Sequence, residues 1–296
     1  MDIYKHPIIM NIQKDGRHSA RADESIRINK ISKYMNENTD VGRKLKDSYT
    51  TMYGKNVAKT DIAGSNRDHY DIIIYHDDGT MARVEEKHSE KVLDKNMVPW
   101  KYSVQVLNGV GNHYEVGRKY ARLFYNHIIS RVNWREALKS DDVPDIPPYD
   151  EWVKDAFRCG DPKTPFVMKI KSLCREKHGA KSSFTGQNDT LDLRAMFPEF
   201  VLTEEETAQF LSEINSKLHE VMSQKDSFLQ TKGDIDGDDF EFVWRERVEC
   251  PQFTNIKIRR EKDIFIDLIC ETGENFSGIL RWGKGCGFTN IRFDVR

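Results

Sequence analysis

The sequence predicts an α/β protein, α+β in its ordering. A mixed central sheet is flanked by helices, and an antiparallel β region follows at the C-terminal end. Three observations carry this. Residues 71–87 alternate two β-rich runs about a turn, Asp77-Asp78-Gly79. Apolar residues recur at helical spacing in several segments, such as Ile28, Ile31 and Met35. From Phe240 onward, short β-rich runs follow one another with turn residues between them.

In chain order, residues 1–18 read as an irregular arm. Ser19 is placed to cap a helix from about Ala20 to Asn36, with Ile28, Ile31 and Met35 as its buried stripe. Glu24 lies one turn before Ile28 on that stripe. Its plainer role there is to complement the helix dipole; its sharper role is to supply a third acid to a site beneath. A short helix is expected around Val41 to Met52, and residues 63–67 form a polar lead-in to the hairpin.

The turn decides which charges of the hairpin share a face. With a three-residue loop closed by Gly79, His76 pairs with Thr80 and Asp71 falls opposite Glu85. Lys87 then joins them, and Glu86 points away with Ile72, Ile74 and Val84. With a two-residue loop, Asp78-Gly79, Glu86 falls opposite Asp71 instead. Both turns suit the sequence, so the register stays open at this level. In the first register two carboxylates and a lysine converge. Paired carboxylates call for a hard cation such as Mg²⁺, and a neighbouring ammonium can orient water or offset charge at a phosphodiester. The competing reading is a solvated hairpin end with an ordinary Lys–Glu pair.

Further along, residues 102–107 alternate Ser103, Gln105 and Leu107 with Val104 and Val106, which predicts a strand with Gln105 as a candidate neighbour of the site. A helix is expected from about Tyr114 to Val132, carrying Arg118, Lys119, Arg122 and Arg131. Residues 139–149 form a proline-rich linker, and a short helix follows from Asp150 to Phe157. The most basic stretch holds Lys163, Lys169, Lys171, Arg175, Lys177 and Lys181, above a helix anchored by Phe166, Val167 and Ile170. Such a cluster suits contact with a phosphate backbone, or simply a solvated helix face. Thr203 opens a long helix to about Ser223, with Leu211, Ile214, Leu218 and Met222 as its stripe. Asp234 to Asp239 resembles the start of a calcium loop but lacks the glycine and the closing glutamate, so it reads as a turn. Strands are expected at about 240–249, 253–260, 263–270, 277–282 and 289–295, decorated by Lys257, Arg259 and Lys284 among others.

The run Tyr-Asp-Ile-Ile-Ile, a turn, then Val-Glu-Glu-Lys resembles the PD-(D/E)XK nuclease superfamily, whose pattern is an acid opening one strand and acid-x-Lys closing the next. Tyr70 stands where the superfamily's name has proline. The segments 102–109 and 118–125 look like type II restriction-type members, such as those of large DNA viruses. The resemblance covers about the first half of the chain. It implies a restriction-endonuclease-like core over residues 1–195, with residues 196–296 as a clamp or recognition region. It also implies Asp71, Glu85 and Lys87 as catalytic residues, and metal bound by Asp71, Glu85 and the backbone carbonyl of Glu86, with Glu24 as a further ligand. The cofactor implied is Mg²⁺, with Mn²⁺ as a substitute. The partner implied is double-stranded DNA, cut by a homodimer. The alternatives are a structure-specific repair or recombination nuclease and a non-catalytic DNA-binding protein on the same fold.

The 296 residues include 46 Lys and Arg against 48 Asp and Glu, so a DNA-binding face has to be built from local clusters. No apolar run approaches a membrane span, and the N-terminal residues lack a signal-peptide core. Five cysteines without a C-x-x-C pair argue against a disulfide framework and a zinc site. These features predict a cytoplasmic, reducing location without membrane contact.

Overall fold

The computed structural model describes residues 16–63, 69–90, 92–94, 97–178, 196–261, 263–284 and 288–295. It is a mixed α/β structure with two five-stranded sheets. The chain forms two compact units. One comprises Met1–Tyr102 with Glu220–Glu249, the other Ser103–His219 with Cys250–Arg296. The division therefore differs from the expected boundary at residue 195. The reason lies in the strand pairing: a segment from the second half of the chain returns to complete the first sheet.

In the first unit, helices α1 (Gly16–Glu37) and α2 (Asp40–Tyr53) precede strands β1 (Val57–Ile62), β2 (Ile72–His76) and β3 (Met81–Ser89). After a short helix α3 (Pro99–Ser103), the chain leaves for the second unit, returning as β5 (Ser227–Lys232) and β6 (Glu241–Glu246). The order is β1-β2-β3-β5-β6. β3 pairs antiparallel with β2 and parallel with β5, which makes the sheet mixed and β3 its centre.

One face of this sheet is buried under α1 and α2. Ile28, Ile31 and Met35, the predicted stripe, meet Leu45 and Tyr49 of α2 and Ile72, Ile74, Val84, Leu229 and Trp244 of the sheet. Burying each such side chain contributes roughly 1.5–3 kcal/mol. Polar pins fix the helix along the sheet. Asn36 bonds both backbone groups of Thr60 at 2.8 Å, and the Ser32 hydroxyl meets that of Thr60 at 2.9 Å. Gly42 permits the close helix contact, because a Cβ there would lie 1.9 Å from the carbonyl oxygen of Tyr34.

The second unit holds β4 (Gly109–Val110), α4 (Glu115–Phe124), α5 (Trp134–Leu138), α6 (Tyr149–Ala156), α7 (Pro165–His178) and most of α8 (Glu204–Ser223). Its antiparallel sheet has the order β4-β10-β9-β8-β7, with β7 (Phe253–Arg260), β8 (Ile264–Cys270), β9 (Asn275–Lys284) and β10 (Thr289–Val295).

Two expectations are corrected. Residues 102–107 are not a strand. The chain is helical to Ser103 and makes a 3₁₀ turn over Val104–Leu107. The buried apolar positions from Trp100 on are Trp100, Val104 and Leu107, a helical spacing that the local alternation obscures. The strand expected at 240–249 exists but pairs with β5 in the first sheet, not with the C-terminal antiparallel sheet. Among the described residues, no helix is long and apolar enough to cross a membrane.

Candidate active site

The hairpin takes the three-residue loop. Gly79 sits at φ +81°, a left-handed conformation that glycine adopts without a Cβ penalty. The His76 N–H donates to the Thr80 carbonyl at 2.9 Å, and the Gly79 N–H donates to the His76 carbonyl at 3.0 Å. Asp78 fastens the turn by accepting from the Thr80 N–H at 2.9 Å and pairing with Lys55 at 2.6 Å. The register then runs Tyr75 with Met81, Ile74 with Ala82, Ile73 with Arg83 and Ile72 with Val84. The next step sets Asp71 level with Glu85.

Strand alternation completes the sorting. Ile72, Ile74 and Val84 are wholly buried on the helix-covered face, and Glu86 joins them at 2% exposure. There Arg27 of α1 grips the Glu86 carboxylate with two bonds, at 2.9 and 2.8 Å, and the Thr231 hydroxyl donates to it as well. Glu86 contributes its backbone to the Asp71 side, where its N–H donates to Asp71 Oδ2 at 2.7 Å.

Glu85 lies between two lysines. Lys87 bonds Oε1, and Lys225 bonds Oε2 at 2.6 Å. Lys225 stands outside the site that the sequence predicts. It lies two residues before β5, is 3% exposed, and holds its ammonium 5.7 Å from the centroid of the Phe228 ring. No sequence pattern marks it, since a lysine between a helix and a strand is ordinarily solvated.

Burial, and then the charge of Glu85, push the Asp71 carboxyl up from its ordinary 3.8 to about 6, against the Glu86 N–H and Lys87, which favour the ionised form. Burial disfavours the charge of Lys87, but Glu85 and Asp71 outweigh it and hold its pKa above the usual value. For Lys225 burial wins, reinforced by the neighbouring Lys87, and its pKa is lowered despite Glu85. Glu24 is exposed on α1, yet its charge reaches both Asp71 and Lys87 and adds a weaker upward push to each pKa.

A pH signature follows. Between about pH 4 and pH 6 the folded chain keeps a proton on Asp71 that the unfolded chain has released. This contribution to stability is complete below the unfolded pKa and is lost as pH rises through the folded one. At neutral pH the ionised carboxylate then costs about 3 kcal/mol. Asp71→Asn is therefore expected to melt higher than the wild type at pH 7, with the difference vanishing below pH 4. Thermal denaturation without divalent ions checks this; a constant difference across that range would sink it.

The donor set fits a hard divalent cation. Two acids share a largely desolvated corner, and the charge of Glu85 raises the cost of ionising Asp71. Among the described residues, no group of three or more His, Cys, Asp and Glu side chains is arranged to hold a metal. Mg²⁺ commonly takes one or two carboxylates, waters and substrate oxygens, so a pair of acids suffices.

The remaining candidates spread over the chain. Gln105 is exposed on the 3₁₀ turn in the second unit. The glutamine beside Lys87 in the first sheet is Gln230, on β5, 3% exposed. With its amide suitably turned, it bonds both backbone groups of Asp94, at 3.1 and 2.8 Å. Lys163, Lys169, Lys171 and Arg175 all lie on or just before α7. Lys163 and Arg175 are exposed, and Lys169 pairs with Asp142 at 2.5 Å. Lys171 departs from the expected solvent-facing cluster: it is 6% exposed and pairs with Asp161 at 2.6 Å. The helix turns it toward the side of Val167 and Ile170, and only its tip reaches the surface acid. Lys177 belongs to α7 and Lys284 ends β9, but their side chains, like the whole of Lys181, lie outside the described residues. On β7, Lys257 is exposed, whereas Arg259 is already bridged to Asp267 and Glu261.

No family model matches the chain, no curated protein matches it, and no solved structure matches its fold.

Proposed function

We propose that this chain is a Mg²⁺-dependent endonuclease that hydrolyses phosphodiester bonds of double-stranded DNA, of the PD-(D/E)XK kind and sequence-specific in the restriction manner. One observation carries the reading: the hairpin register that sets Asp71, Glu85 and Lys87 on one sheet face while Glu86 turns to the other. A slip of one residue would break that grouping.

The proposed roles rest on that grouping. Asp71 and Glu85 supply carboxylate oxygens, with the Glu86 backbone beside them. A Mg²⁺ bound there would supply Lewis acidity and lower the pKa of a bound water. Lys87, a third exposed beside Glu85, is placed to orient the attacking water and to offset charge that develops on the phosphate. Glu24 extends the negative field toward the cation. Mn²⁺ suits the same hard ligands, and two cuts across a duplex favour a two-fold homodimer.

The test is plasmid cleavage with Mg²⁺, without it, and with the Glu85→Gln variant. Nicking or linearisation that needs both Mg²⁺ and Glu85 supports the reading. Cleavage surviving the loss of either refutes it. Mapping the ends separates a restriction-type enzyme, cutting at one short sequence, from a repair nuclease cutting at structures.

A second reading rests on the same carboxylate. Both oxygens of Glu85 are engaged by lysines, so its charge is compensated within the chain. A non-catalytic DNA-binding protein would show that arrangement too. It would retain salt-sensitive DNA affinity and never cut.

DNA affinity under either reading is expected to fall steeply with salt, since Lys and Arg displace condensed counterions. Lys171 is buried, so Lys163, Lys169 and Arg175 are the residues of α7 and its approach to test. Neutralising all three should flatten the slope by about one unit for each phosphate that is no longer neutralised. An unchanged slope in a filter-binding titration would remove this stretch from the interface.

A further inference from the structure

The two lysines on Glu85 are not equivalent. Lys225 is 3% exposed, and the backbone around it is fastened. Its own N–H donates to the Met222 carbonyl at 3.2 Å. The next residue, Asp226, donates its N–H to the Arg83 carbonyl of β3 at 2.8 Å and accepts from the Arg83 N–H and Nε at 2.9 Å each. Lys225 is thus locked to the strand that carries Glu85, with the Phe228 ring beneath its ammonium. Lys87 is different: its side chain is 30% exposed.

A buried ammonium loses its hydration, and a methionine would fill the same space without that penalty. The structure keeps the charge and pairs it with Oε2 of Glu85. We propose that Lys225 is a positioning residue: it fixes Glu85 through Oε2, presents Oε1 to a divalent cation, and so frees Lys87 to turn from Glu85 to the phosphate. This rests on the nuclease reading above, because it needs Glu85 to be a cation ligand. Lys225 touches neither substrate nor cation and acts only through Glu85, as partners that orient a ligating side chain do elsewhere.

The experiment is calorimetric titration of the full chain with Mn²⁺ in the absence of DNA, for the wild type, Lys225→Met and Lys225→Arg. Circular dichroism and melting temperature are recorded alongside. The expected result is an affinity about 10–100-fold weaker in Lys225→Met, the usual consequence of losing such a partner. Lys225→Arg, which keeps a charged donor, should recover most of it. A lysine with a merely structural role would move the melting temperature and leave Mn²⁺ affinity unchanged; that outcome in a folded Lys225→Met overturns the proposal. Should Lys225→Met fail to fold, Lys225→Gln keeps a neutral donor over the same ring. An intermediate loss of affinity supports the proposal, and wild-type affinity overturns it. Mn²⁺ binding by the wild type with no effect of Lys225 removes the lysine's role alone. A wild type that binds no Mn²⁺ removes the nuclease reading as well.

Discussion

Lys87→Ala is expected to lower cleavage by about 10²–10⁴-fold while leaving DNA affinity nearly unchanged. The lysine shares the face of Asp71 and Glu85, and the two carboxylates hold it protonated despite its burial. A protonated amine beside the attacked phosphate offsets charge that grows only as the reaction proceeds. Its loss therefore falls on the transition state, lowering the rate of the bound complex and sparing the ground state. The fold should survive, because Glu85 keeps its 2.6 Å pairing with Lys225. Single-turnover cleavage beside a binding titration without divalent ions checks both halves. A variant that cuts within about threefold of the wild type would take Lys87 out of the chemistry, and one that no longer binds DNA would make it a ground-state contact.

What could be read from the sequence is what local physics decides alone. The stripe Ile28, Ile31 and Met35 was legible because all three residues go to one core. The hairpin was legible as a hairpin, but not in register: Asp-Asp-Gly closes two loops equally well. What selects between them is packing. The three-residue loop places Ile72, Ile74 and Val84 together under the helices and puts Glu86 within reach of Arg27, a residue 59 positions away. The two-residue β4 is too short to leave a pattern, and two longer strands escape the sequence for opposite reasons. Only Thr60 of β1 is buried, so its sequence looks like a polar loop. β5 is buried at Ser227 and Thr231 as well as at Phe228 and Leu229, so no alternation marks it, and its parallel partner β3 is far away in sequence. Missing β5 meant missing Lys225, and it also moved the domain boundary. In the α7 cluster one residue departs, for a simpler reason. Charge alone does not say which lysine faces inward, and Lys171 does.

Glu86→Ala is expected to cost about 3–5 kcal/mol of stability, with cleavage per folded molecule within a few-fold of the wild type. Glu86 is a neighbour of Glu85 in sequence and its opposite in space. It is 2% exposed and holds a bidentate bridge to Arg27, itself 16% exposed, with Thr231 as a further donor. Deleting the carboxylate leaves a mostly buried guanidinium without its partner, which is the costly way to break such a pair. Replacing both partners with apolar residues, as in Arg27→Met with Glu86→Leu, should restore much of the loss. Glu86→Gln should fall between, since its amide oxygen still accepts from Arg27. The melting temperature of Glu86→Ala should drop by roughly 10 °C. Cleavage, measured well below that temperature, should persist, because the backbone of Glu86, not its side chain, faces Asp71. The contrast with Glu85→Gln tests the register itself. If Glu86→Ala melts like the wild type and cannot cut, while Glu85→Gln cuts normally, the strand is paired one residue out of step. The acid opposite Asp71 would then be Glu86.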